Sequence, residues 1–188
     1  PPRYGSSAAS DVYKRQGMDF NLDPMSAVVM VKDGSTMHVI DEIVIYGSNT
    51  DEMADEILQR YREHHVTIYP DPASKQRKTS AGGRTDLSIL QNAGFRVKLR
   101  NSHPPVRDRI NSVNSKLMSS TGQRTLLVDP KCKQVISSLE RQTYKEGTSQ
   151  PNKEDGFDHM NDALGYAIEY LFPIRKDRTT EQPTRWTA

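Results

Sequence analysis

Four aspartates and one histidine could do metal chemistry. Asp19 lies in GMDFNLDP and is expected to begin the first strand, and Asp71 lies in IYPDP and is expected to end a central one. Asp158 and Asp162 stand four positions apart in FDHMNDALGY and open the last helix, with His159 beside the first of them. Carboxylates delivered to one point from separate elements repel each other and normally persist only around cations. With a single cysteine, Cys132, and few histidines, such hard oxygen donors suit Mg²⁺ or Mn²⁺ better than zinc. On the last helix, Met160, Ala163, Leu164, Ala167, Ile168 and Leu171 form an apolar stripe, and Asp158 and Asp162 share the opposite side. A solvated helix face has the same pattern, and acids near a helix N-terminus are favoured by its dipole, so spacing alone leaves both readings open. His159 reads equally as an exposed helix residue and as a proton carrier, and Asp23 reads as a turn residue. If the acids do gather, replacing one by asparagine should stabilise the metal-free fold by relieving repulsion. Gly165 costs a helix interior roughly 1 kcal/mol relative to alanine, which suggests that something approaches closely there.

To position these groups the chain must build a mixed sheet. SAVVMV, the turn KDGS and MHVIDEIVI form an antiparallel hairpin, and DEMADEILQRYREHH repeats apolar Met53, Ala54, Ile57, Leu58 and Tyr61 at helical spacing. VTIYPD suits a strand buried on both faces, with Asp71 at its carboxyl end. The polar, basic loop 72–84 follows, then a helix with Thr85 as N-cap and Gly94 as its stop. FRVKL and RTLLVDP read as further strands, and PPVRDRINSVNSKLM and KCKQVISSLERQTY as helices. GTSQPNKED, 147–155, reads as a flexible connector into a final helix over 158–172. An N-terminal hairpin followed by alternating strands and helices describes an α/β domain with a mixed sheet flanked by helices.

The chain has 188 residues, room for one globular domain. Residues 1–16 have almost no apolar content and no usable period and are expected to be a disordered lead or an expression remnant; 17–174 is expected to be the folded domain and 175–188 a flexible tail despite Trp186. Net charge is only +2, so bulk charge excludes little. Its distribution says more: Lys75, Arg77, Lys78, Arg84, Arg96, Lys98, Arg100, Arg107 and Arg109 crowd the middle of the chain. One cysteine excludes an internal disulfide framework and fits a reducing setting. No apolar run is long enough to span a membrane, and no export signal opens the chain.

Taken in order, GMDFNLDP at 17–24, IYPDP at 68–72 and DHMNDALGY at 158–166 resemble the nuclease domain of the large terminase subunit of tailed bacteriophages. The likeness covers roughly residues 17–174. It implies an RNase H-like fold and an endonuclease that cuts concatemeric viral double-stranded DNA during genome packaging, by hydrolysis with two bound ions, Mg²⁺ or Mn²⁺. Residue by residue, it implies that Asp19, Asp71 and Asp162 are the catalytic metal-binding carboxylates, with Asp158 beside them and His159 as an accessory. Following directly on Asp71, the basic residues Lys75, Arg77, Lys78 and Arg84 would grip DNA phosphates without reading sequence. The family's full-length proteins join an N-terminal ATPase motor and work with the portal and the small terminase subunit in the host cell cytoplasm. No GxxxxGK[ST] phosphate loop occurs in this chain, so it is expected to be the nuclease part of a longer protein, without motor activity.

Other readings remain at this stage. A junction resolvase or transposase-type enzyme of the same superfamily would also use such acids. In a non-catalytic DNA- or portal-binding module the acids would be solvated and the basic loop would bind.

Overall fold

A computed structural model describes residues 14–19, 24–76 and 84–174. Asp23, Arg77, Lys78, Gly82, Gly83 and Trp186 lie outside them. Strand β1, Lys14–Asp19, runs antiparallel to β2, Met25–Asp33, which runs antiparallel to β3, Thr36–Ile45. The β2–β3 turn is the pair Gly34 and Ser35, and glycine supplies the positive φ of 54° that such a tight turn demands. Strand β4, Val66–Pro70, pairs parallel with β1; two-residue β5, Arg96–Val97, pairs parallel with β4; and β6, Leu126–Val128, pairs parallel with β3. The sheet order is β5-β4-β1-β2-β3-β6. The expected mixed sheet with an N-terminal antiparallel unit is what the chain builds.

Among the described residues, five helices cover the two faces: α1 Thr50–Arg60, α2 Asp86–Asn92, α3 Val106–Leu117, α4 Lys133–Arg141 and α5 Asp158–Leu171. Strand alternation sorts the core into two layers. Ala27, Val29, Ile43 and Ile68 point to one side and meet Met53 and Ile57 of α1 and Leu90 of α2. Val28, Met30, Val39 and Tyr69 point to the other and meet Val113 of α3, Val135 of α4 and Leu164 and Ile168 of α5. This second layer sets α5 over β1 and β2, and so carries Asp158 and Asp162 to the middle of the sheet.

Two boundaries differ from expectation. Lys14, Arg15 and Gln16, read as part of a structureless lead, extend β1, pairing with Val31, Met30 and Val29 on one side and Val66, Thr67 and Ile68 on the other. Backbone pairing on both edges outweighs a polar composition, and Asp19 therefore ends β1 instead of beginning it. Helix α1 stops at Arg60, not His65, because Tyr61 leaves helical geometry and donates its hydroxyl to Asp41 Oδ2 at 2.5 Å.

That Asp41 contact makes the fold sensitive to acid. Burial pushes the Asp41 carboxyl up, but hydrogen bonds from Tyr61 and the Glu42 backbone, with Arg60 and Lys131 nearby, overcome it and hold the pKa below the ordinary 3.8. A depressed carboxyl contributes stability that is complete above its unfolded pKa and lost as pH falls through the folded one. Tyr61→Phe should therefore flatten the fall of Tm below about pH 4. Thermal melts from pH 2 to 7 read this directly; an unchanged acid limb would show that the pair contributes nothing.

Candidate active site

Two of the expected acids meet through the backbone. Met18 of β1 is in register with Pro70 of β4, and Asp71 N donates to Met18 O at 3.3 Å, so Asp19 and Asp71 end adjacent parallel strands side by side. Only the backbone of Asp19 is described. Asp71 is held firmly: Oδ1 accepts from Ala73 N at 2.8 Å, capping a short 3₁₀ turn Pro72–Lys75, and lies 3.2 Å from His103 Nδ1. Its other oxygen, Oδ2, accepts from Tyr166 Oη at 2.8 Å.

Helix α5 comes very close to β1, and the cause is Gly17. A Cβ built on Gly17 would sit 1.8 Å from the Ala163 carbonyl oxygen and 3.3 Å from Ala167 Cβ, so only glycine admits the helix at this distance. Asp162 is the residue before Ala163, and Gly17 stands two positions before Asp19 in β1. Gly165, expected from its helix-interior position to mark a close approach, does not: a Cβ there would meet Arg109 Cβ at an ordinary 3.6 Å. The close approach belongs to the strand glycine.

The acids of α5 are not a wet helix face. The Asp158 side chain is 4% exposed and that of Asp162 18%, because α3 and the segment between α4 and α5 cover them. Arg109 of α3, its side chain only 9% exposed, donates Nη1 to Asp162 Oδ1 at 2.8 Å and lies 4.3 Å from the centre of the Tyr166 ring. Lys153 Nζ stands 3.0 Å from Asp158 Oδ2 and 3.4 Å from Asp162 Oδ2. Asp71, Tyr166, Arg109, Asp162, Lys153 and Asp158 thus form one continuous chain of contacts. Burial lowers the Lys153 ammonium pKa, but the two carboxylates overcome this and raise it above the ordinary value. Burial also raises the Tyr166 phenol, as does the Asp71 carboxylate, against the pull of Arg109, so the hydroxyl stays a donor.

Among the described residues, Asp158 Oδ1 is buried without a hydrogen-bond partner. His159, with a side chain 19% exposed, has Nε2 3.9 Å from that oxygen, beyond hydrogen-bond reach. Among the described residues no three His, Cys, Asp or Glu side chains converge closely enough to hold one ion. Two clefts flank the acids. One of about 240 Å³ is lined by Arg109, Gln142, Tyr144, Asp158 and Asp162. The other, about 440 Å³, is lined by Ser26, Tyr46, Lys153 and His159, and Ser26 is the register partner of Asp19.

This arrangement reverses one expected sign. Removing the Asp162 carboxylate leaves the buried Arg109 guanidinium without its partner, which costs about 3 kcal/mol. Asp162→Ala should therefore lower metal-free stability by about that amount, and Asp162→Asn, which keeps an acceptor, by less. Urea unfolding in EDTA gives the sign; a more stable variant would show that repulsion between acids outweighs the Arg109 pair.

Of the four basic residues expected to grip phosphates, Lys75 and Arg84 are described. Lys75 donates Nζ to Arg100 O at 3.2 Å, and Arg84 pairs with Asp51 of α1 through both terminal nitrogens at 3.2 Å. Arg77 and Lys78 lie outside the described residues. Arg100, part of the same basic stretch, is bound to Glu169 of α5 at 2.9 Å. Cys132 is fully buried, and burial raises its thiol to about 11, so it is unreactive at neutral pH.

Residues 16–171 match the family described as the terminase RNase H-like domain. The chain belongs to that family.

No curated protein sequence matches it. Among solved structures, this terminase RNase H-like domain is similar to the large terminase of a thermophilic bacteriophage, with TM-score 0.67 and 17% identity over 88% of the chain. It spans 41% of the length of that protein. It is also similar to the large terminase nuclease domain of bacteriophage SPP1 with bound Mn, with TM-score 0.56 and 20% identity, covering 86% of this chain and 88% of that one. A third likeness is to the large terminase nuclease of thermophilic phage G20c with bound cobalt, with TM-score 0.61 and 15% identity, covering 85% and 81%. At these identities the three show a shared fold. Among the described residues no helix is long and apolar enough to cross a membrane.

Sequence reading missed four side chains that contact the candidate acids of this terminase domain. Tyr166 was open to detection, since it follows Asp162 by four positions and so shares its helix side. Arg109 appeared only as one member of a basic run. His103 and Lys153 lie in connecting segments with no periodicity to betray where they point.

Proposed function

We propose that this domain is a divalent-metal-dependent endonuclease that cuts concatemeric viral double-stranded DNA during packaging. The observation that carries the reading is the strand register: Asp19 and Asp71 end neighbouring parallel strands, and Gly17 lets the helix bearing Asp158 and Asp162 lie directly on β1. The donors fit a hard cation, being carboxylate oxygens with no thiolate among them, and the buried Asp158 Oδ1 has an unfilled coordination direction. Asp19, Asp71, Asp158 and Asp162 would hold two Mg²⁺ or Mn²⁺ ions, with His159 at their edge. Such ions supply the Lewis acidity that makes water a nucleophile at neutral pH and offsets charge on the departing 3′-oxygen.

The protein's own groups prepare the site. Tyr166 and Ala73 N fix the two oxygens of Asp71, and Arg109 fixes one of Asp162, so the carboxylates are ordered in advance. No side-chain nucleophile is required. Lys75, Arg77, Lys78 and Arg84 remain the proposed phosphate contacts; they give affinity without sequence choice, and Arg84 would exchange its exposed Asp51 pair for a phosphate at little cost. Within a full-length terminase the partners would be an ATPase motor, the portal and the small subunit.

The test is conversion of supercoiled plasmid to nicked and linear forms with Mn²⁺ or Mg²⁺ against EDTA. We expect cutting with either metal and none in chelator. Metal-independent cutting would overturn the mechanism. Preference for branched DNA would favour a resolvase, and strand joining a transposase.

A further inference from the structure

The segment between α4 and α5, expected to be a flexible connector, is tied down. Tyr144 bridges Pro151, Lys145 N donates to Gln150 O at 2.8 Å, and Asn152 N donates to Thr143 O at 2.8 Å. Gln142 Nε2 donates to Asn152 O at 2.6 Å, which fixes the residue before Lys153. From this anchored turn the Lys153 stem extends to the acids, its side chain 61% exposed, and Nζ lies between one oxygen of Asp158 and one of Asp162. A single ammonium thus sits where two carboxylates from successive helix turns converge. Among the described residues Asp158 Oδ1 has no hydrogen-bond partner, so one charge does not complete the site.

We propose that Lys153 is an internal counter-cation of the acidic site, occupying oxygens of Asp158 and Asp162 in the metal-free protein and surrendering them when a divalent ion binds. The inference rests on the metal-dependent reading above. Its physical basis is charge: an ammonium and a divalent cation on the same two oxygens repel each other, so each weakens the other's hold. Two consequences follow from this linkage. Lys153 protects the fold from acid–acid repulsion before metal arrives, and metal binding frees the Lys153 end of the 142–157 turn.

Calorimetry with Mn²⁺ on the full chain, wild type against Lys153→Met, tests the competition. The methionine keeps most of the stem and removes the charge. We expect Mn²⁺ to bind about tenfold tighter to the variant. In EDTA the variant should melt at lower temperature than wild type, and the gap should close as Mn²⁺ is added. Hydrogen exchange at the Lys145 and Asn152 amides should quicken in wild type on Mn²⁺ binding. Lys153→Gln, which retains one donor without charge, should also tighten Mn²⁺ binding and serves if the methionine variant folds poorly. Mn²⁺ binding that is equal or weaker in the variants overturns the role of Lys153 and leaves the metal reading intact. Failure of wild type and variants alike to bind Mn²⁺ overturns both.

Discussion

Asp71→Asn is expected to reduce metal-dependent plasmid nicking on the order of 100-fold or more while leaving the fold in place. The two effects separate because the cap that Asp71 makes and its proposed ligand role place different demands on the side chain. As a cap, Oδ1 accepts from Ala73 N, and asparagine performs that job almost equally well. As the proposed ligand, Asp71 would bring negative charge to the end of β4 beside the end of β1, and asparagine would not. The amide would still face Tyr166 Oη, where its nitrogen can donate to the phenol oxygen in place of the lost acceptor. Stability in EDTA should thus change by no more than about 1 kcal/mol. Nicking assays at saturating Mn²⁺, with urea melts of the same preparations, measure both. Wild-type nicking by the variant would remove Asp71 from the catalytic set; gross unfolding would mean that its charge is structural.

Gly17→Ala is the substitution with the largest expected effect on folding. The added methyl would lie 1.8 Å from the Ala163 carbonyl oxygen and 2.7 Å from its carbonyl carbon. Both atoms are helix backbone, which cannot rotate away as a side-chain tip can, so α5 must lift from β1 or β1 must bend. Either movement opens the layer in which Ala163, Leu164, Ala167 and Ile168 meet Val28 and Met30, at a cost of at least about 3 kcal/mol. The same displacement draws Asp162 away from the β1 end. Shortening the opposite residue offers no relief, because the clash is with a carbonyl: a Gly17→Ala, Ala163→Gly double variant should be no more stable than Gly17→Ala alone. Denaturant unfolding, or soluble yield if the variant does not fold, decides it. A Gly17→Ala protein with wild-type Tm would mean that α5 does not rest on β1 at this distance.

The sequence alone determined most of the elements, because each is set by local periodicity. The β-rich runs SAVVMV and MHVIDEIVI around a glycine turn, the buried run VTIYP and the apolar stripe of α5 follow from residue type and from how side chains divide between faces at periods of about 2 and 3.6. Motif order was equally legible, and the family assignment over residues 16–171 agrees with it. Three features lay beyond its reach, all set by neighbours distant in the chain. Lys14–Gln16 are polar and became a strand only because β2 and β4 offer backbone partners on both edges. Asp158 and Asp162 have the spacing of a solvated face, and only the packing of α3 and the pinned 142–157 turn encloses them with Arg109 and Lys153. Gly17 opens the GMDFNLDP motif, but only the packing of α5 across it gives the reason the position must be glycine. Periodicity records which side of an element is apolar; which charges face one another is decided when the elements pack.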